Sequence, residues 1–261
     1  MGNEKQIIKD RLQKLVTRMK VIGYNSYMIG RVKELVNELQ QRGVYCGDRF
    51  VQKLLDRVND KEAYLDILME GRFAIILARN NFSNIQIEYA DKGPDLKAIW
   101  NMNVVYFEVT RSRPSEDDQA VQDGAVFVSQ KRIENIKSKI QDKIPQLQSG
   151  KINVVVLWSD TVNLLPRAVA EAFGYIEQEI DDDPERYKDL SGVLFTEGGG
   201  VDLAALKEYY LFENKEASKP LGPRLIRKLK SLHERDINQV QRENEELGAA
   251  LIKRLKAQES L

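Results

Sequence analysis

The run INVVVLW at positions 152–158 constrains this chain more than any other segment. In a sequence with 31% charged residues, so apolar a stretch reads as a strand buried on both faces. Such strands belong to parallel sheet, which needs helices above and below it. The expected fold class is therefore α/β, with a central mixed β-sheet flanked by helices.

The rest of the chain supplies that cover. Residues 4–20, 28–42, 48–58 and 61–81 carry apolar side chains at helical spacing, the last stretch broken only by Gly71. The period changes at Asn84. IQIEYA (85–90), DLKAIW (95–100) and NVVYFEV (103–109) read as strands, and the short turn at Asn101–Met102 makes a hairpin of the last two. A polar loop (111–124) precedes a helix at 129–148. After the apolar strand come a helix at 164–178, a loop at 181–186, a last core strand at 192–196 and a turn at GGG (198–200). From Gly222 onward the chain is charged and amphipathic, a helix suited to pairing with a second copy as a homodimer. Three segments result: a helical region at 1–60, an α/β core at 61–212 and a charged C-terminal helix at 213–261.

Composition narrows the chemistry. Cys46 is the only cysteine and His233 the only histidine, so disulfide frameworks, thiolate zinc clusters and multi-histidine sites are excluded within the chain. Any metal is then hard and oxygen-ligated, Mg²⁺ or Mn²⁺. No apolar run approaches the roughly 18 residues of a membrane span. Charges fill the first 15 residues and Gln6 stands where a myristoylation signal needs Ser or Thr, so the cytoplasm is the expected compartment. The zero net charge hides an uneven distribution. Residues 1–60 hold 12 basic and 7 acidic side chains (net +5), residues 61–212 hold 17 and 25 (net −8), and residues 213–261 hold 11 and 8 (net +3). An acidic centre between basic arms suits a metal-dependent protein acting on a polyanion.

Two carboxylates lie where the hairpin brings them together. With the turn at 101–102, paired positions sum to about 203, which sets Asp95 opposite Glu108 or one position off. Directly opposite side chains on one face have Cβ atoms about 5 Å apart. Like charges at that spacing call for a cation between them. A one-residue slip would instead put them on opposite faces. Glu108 also sits among apolar neighbours in VVYFEVT, where an unpartnered carboxylate is costly.

Gly93-Pro94-Asp95 followed by Tyr106-Phe107-Glu108-Val109-Thr110 resembles the PD-(D/E)xK signature of the restriction-endonuclease-like nuclease superfamily, with ExT in place of ExK. The similarity covers about residues 62–160 and includes the α-β-β-β-α-β order. It implies that Asp95, Glu108 and the main-chain carbonyl of Val109 bind Mg²⁺ or Mn²⁺, with helix-borne Glu70 as a further ligand and Asp66 as its fallback. It further implies a metal-dependent endonuclease acting on nucleic acid, DNA in the first instance. By the same resemblance Thr110, at the lysine position, or Lys143 would assist the attacking water, although a hydroxyl cannot offset phosphate charge as an ammonium would. Lys143, accompanied by Gln146, is the candidate for a lysine relocated to the following helix; Lys139 on the same helical face is a solvated position.

Other features carry less. Arg111 and Arg113 stand in the loop as phosphate contacts or plain solvated residues, and Arg224, Arg227 and Lys228 cluster as a phosphate-binding group. Trp100 and Trp158 read as core, Cys46 as structural, and the glycine triplet lacks the lysine of a phosphate loop. Two rival functions remain: an inactive nuclease-like module that only binds nucleic acid, and a structural or oligomerising protein in which the carboxylates are incidental.

Overall fold

The computed structural model describes residues 2–45, 47–87, 93–112, 130–159, 166–197 and 209–232. The first helices are α1 (Gly2–Val21), α2 (Ser26–Gln41), α3 (Gly47–Arg57) and α4 (Lys61–Arg79). Asn25 and Asp60 start α2 and α4 by accepting backbone N–H groups of the first turn. Gly71 does not break α4. A Cβ there would stand 2.6 Å from Phe50 Cζ, so the glycine lets α3 pack against the middle of α4. Asn81, with φ 63, ends that helix and turns the chain into the sheet.

The sheet has six strands in sequence order: β1 (Ser83–Ile87), β2 (Leu96–Trp100), β3 (Asn103–Ser112), β4 (Ile152–Ser159), β5 (Gly192–Glu197) and β6 (Tyr209–Glu213). β1, β2 and β3 are antiparallel, β4 runs parallel to both β3 and β5, and β6 closes antiparallel to β5. The hairpin turn has positive φ at both Asn101 (46°) and Met102 (66°), the conformation that suits the twist of paired strands. Among the described residues, the other helices are α5 (Gln130–Gln141), α6 (Pro166–Asp182), α7 (Pro184–Tyr187) and α8 (Pro223–Lys230).

The apolar run of β4 divides its side chains between two cores. Val154, Val156 and Trp158 face the layer of α1 to α4 and α8, whereas Val155 and Leu157 face α5, α6 and α7. The protein is thus α/β, a mixed sheet between two helical layers. The N-terminal helices share one continuous apolar cluster with α4 and the sheet, from Ile8 to Leu232.

Several boundaries differ from those expected: β3 runs on to Ser112, into the expected loop at 111–124, and the helix expected at 164–178 ends at Asp182. The helix after β3 stops at Gln141, because Pro145 has no N–H to bond the Gln141 carbonyl and its ring crowds that group, and a 3-10 turn at Ile144–Gln146 follows. The loop expected at 181–186 contains α7, started by the Asp183 side chain. The strand at 192–196 is not the last, since β6 pairs beside it. The C-terminal helix buries Leu225 and Leu229 in the chain's own core and ends at Lys230. The remainder of the expected helix from 233, the triplet 198–200, Arg113, Cys46 and His233 lie outside the described residues.

Candidate functional site

Pairing of β2 with β3 ends at Leu96↔Phe107, while β3 continues to Ser112 alongside β4. Asp95 is the next residue back from that last pair, so the register carries it opposite Glu108, with positions summing to 203 as the turn length requires. The Asp95 carboxylate then accepts the N–H of Val109 at 2.9 Å, at the point where β2 no longer covers β3. Side chains from both helical layers reach the site there, where no strand of the described residues pairs with β3 on the β2 side.

A lysine approaches from each layer. Lys143, at the start of the 3-10 turn, donates to Glu108 Oε2 at 2.8 Å and lies 3.8 Å from Asp95 Oδ2. Its placement has a local cause. The Asn153 side chain bonds both the N–H and the C=O of Gln148, and also the carbonyls of Lys151 and Asp189, pinning the segment after the turn to the start of β4. From the other layer, Lys53 on α3 bonds both oxygens of Glu70 at 3.1 Å and lies 4.0 Å from Asp95 Oδ1. The outcome is a row of alternating charge: Glu70, Lys53, Asp95, Lys143, Glu108.

Glu108 is 0% exposed, and among the described residues its Oε1 has no hydrogen-bond partner. Burial, reinforced by the negative charge of Asp95, pushes its carboxyl up to about 8 against the opposing pull of Lys143. Burial pulls the Lys143 ammonium down, but Asp95 and Glu108 outweigh it and hold the group above the ordinary lysine value. A buried, orphaned carboxylate oxygen beside a second carboxylate fits a hard cation. The fit extends to two carboxylates and no further: among the described residues, no three acidic, histidine or cysteine groups converge as a metal cage.

The expected site residues distribute as follows. Asp95, Glu108 and Lys143 come together, and Gln146 is at its edge, its Oε1 3.4 Å from Lys143 Nζ. Thr110 is half-buried two residues beyond Glu108, on the same face of β3. Glu70 is adjacent but faces Lys53 instead of the Asp95–Glu108 pair. Asp66 pairs with Arg111 at 2.8 Å; the arginine, 4% exposed and also bonded to Glu62, holds α4 to β3 and is not a solvated loop residue. Lys139 is half-buried on α5, and Lys228 bonds Asn80 at 3.4 Å while Arg224 and Arg227 are exposed. Both tryptophans pack in or against the core, with Arg72 over the Trp158 ring.

Lys53 was not expected. No local pattern marks it, because only the packing of α3 against α4 at Gly71 brings it to the sheet; a basic residue on the polar edge of an amphipathic helix is the sole signal. No helix among the described residues is long and apolar enough to cross a membrane. Comparison with protein-family models, with curated proteins and with solved structures finds no match for this chain.

Proposed function

We propose that the protein is a metal-dependent nuclease of the restriction-endonuclease-like type, hydrolysing phosphodiester bonds in nucleic acid, with DNA as the first substrate to test. The observation that carries this reading is the facing pair Asp95 and Glu108 with Lys143 between their oxygens. The order α4-β1-β2-β3-α5-β4 supports it. Asp95, Glu108 and the Val109 carbonyl would hold Mg²⁺ or Mn²⁺. Such a cation, when bound, lowers the pKa of a water and neutralises charge on the scissile phosphate.

The protein groups do the rest. Asp95, anchored by the Val109 amide, fixes one carboxylate at the sheet edge. Glu108 contributes its orphaned oxygen from a buried position that excludes competing water. Lys143 keeps a proton on Nζ and presents it where an attacking water and a phosphate oxygen would lie, the task that Thr110 cannot perform. Gln146 offers an amide beside it. The relocated lysine favours a working enzyme over an inactive nucleic-acid-binding module.

The test is cleavage of plasmid and single-stranded oligonucleotides with Mg²⁺ or Mn²⁺. Lys143→Met should lower kcat by roughly 10²–10⁴, the range for a positioned proton donor or acceptor. Asp95→Ala should abolish cutting and also the rise in melting temperature that Mg²⁺ gives the wild type. Equal cutting by Asp95→Ala and wild type would sink the proposal; salt-sensitive binding without cleavage would point to the inactive module.

A further inference from the structure

The row of alternating charge has two gaps between carboxylates, one between Asp95 and Glu108 and one between Glu70 and Asp95. Each gap holds an ammonium, but Lys143 in the first bonds only Oε2 of Glu108, whose Oε1 finds no partner among the described residues, whereas Lys53 in the second grips both oxygens of Glu70 at 3.1 Å and lies 4.0 Å from Asp95. We infer that Lys53 takes the place of a second divalent cation, so that the centre binds a single metal ion and draws its other positive charge from α3. This rests on the metal-centre reading above.

Spacing supports it. Mg²⁺ needs oxygens at about 2.0–2.1 Å, whereas Glu70 and Asp95 are held apart at distances that suit an ammonium. Glu70 is only 7% exposed and is gripped through both oxygens, so it is poorly placed to swing toward Asp95. The charge count agrees. Three carboxylates stand against two ammonium groups, and one divalent cation leaves a slight positive excess suited to a phosphodiester. A second would meet the Lys53 ammonium where both Glu70 oxygens are already engaged, whereas the first has Oε1 of Glu108 to receive it beside Lys143.

The two ends of Asp95 are thereby given separate tasks. Oδ2 faces Lys143 and the Val109 amide, and Oδ1 faces Lys53. Lys53, with a 36% exposed side chain, is also the cation of the pair nearer to solvent. It is the contact through which the N-terminal helical region enters the site.

Metal stoichiometry decides the matter without reference to activity. Mn²⁺ bound to the full chain, counted by electron paramagnetic resonance and by calorimetric titration without nucleic acid, should be one per chain in the wild type. Lys53→Arg, which keeps the charge, should also bind one. Lys53→Met should bind two, because the gap between Glu70 and Asp95 then lacks its cation. If the methionine variant fails to fold, Lys53→Gln, neutral but still able to bond Glu70, should bind two as well. Two ions in the wild type, or one in the neutral variants, would overturn the inference and leave the metal centre standing. No ion in the wild type would overturn both.

Discussion

Glu108 makes the molecule sensitive to pH before any ligand is considered. Its folded carboxyl titrates at about 8, above the ordinary value of 4.5. Between those values the folded chain keeps a proton that the unfolded chain has released, so stability falls as pH rises through that window and levels off above it. Glu179, held low by Lys137, Tyr187 and Gln141 despite its partial burial, and Lys143, held high, act outside the window. The metal-free protein should therefore melt at a lower temperature at pH 8.5 than at pH 5.5. Glu108→Gln should flatten that slope and gain on the order of 1–3 kcal/mol at the higher pH, the scale of an unsatisfied buried group. Thermal melts of both proteins across pH check this; parallel curves would refute it.

Among the elements, the segment that follows the 3-10 turn carrying Lys143 is tied to β4 by one side chain, beside the packing of Ile144 and Leu147 against the second apolar cluster. Asn153 is wholly buried and bonds backbone groups on three sides, so Asn153→Ala should cost about 1–3 kcal/mol for each orphaned carbonyl it leaves. If the protein is the nuclease proposed above, the substitution should also loosen the turn and lower kcat more than the affinity for nucleic acid; urea melts and steady-state rates measure the two effects. Gly71→Ala should destabilise by about 1–3 kcal/mol, as overpacking does, because its Cβ meets the Phe50 ring. The hairpin and its register were legible in the sequence, since a two-residue turn leaves little choice once strands alternate. β4 was legible from its apolar run. The end of α5 was signalled by Pro145, yet its periodicity beyond Gln141 masks the stop. β6, with the aromatic-rich YYLFE, carried a strand signal weakened by its shortness and its charged flanks. Lys53 was marked only as a basic residue on the polar edge of α3, because its position at the site follows from how α3 docks and not from any local spacing.

At the scale of the whole molecule, the two helical layers depend on the sheet in different ways. Leu15, Met19, Val36, Leu39, Phe50 and Leu54 of the first three helices are fully buried, and they cover α4 and one sheet face. Removing residues 1–60 should therefore expose the α4 surface and abolish cooperative unfolding, seen as loss of the near-ultraviolet circular dichroism of the core aromatics; a chain of 61–261 that melts cooperatively would show the reverse. The placement of Lys53 adds a kinetic consequence. Lys53 meets Glu70 across 17 residues, but Lys143 meets Glu108 across 35, through a strand pair that must already be aligned. Contacts between distant segments form late, after the local helices and the hairpin. A chain emerging from synthesis or recovering from denaturant would regain most of its helix before the charged row exists. On the proposed metal-centre reading, Mn²⁺ uptake during refolding should lag behind the far-ultraviolet signal, so that the proposed chemistry would become available only to a finished molecule.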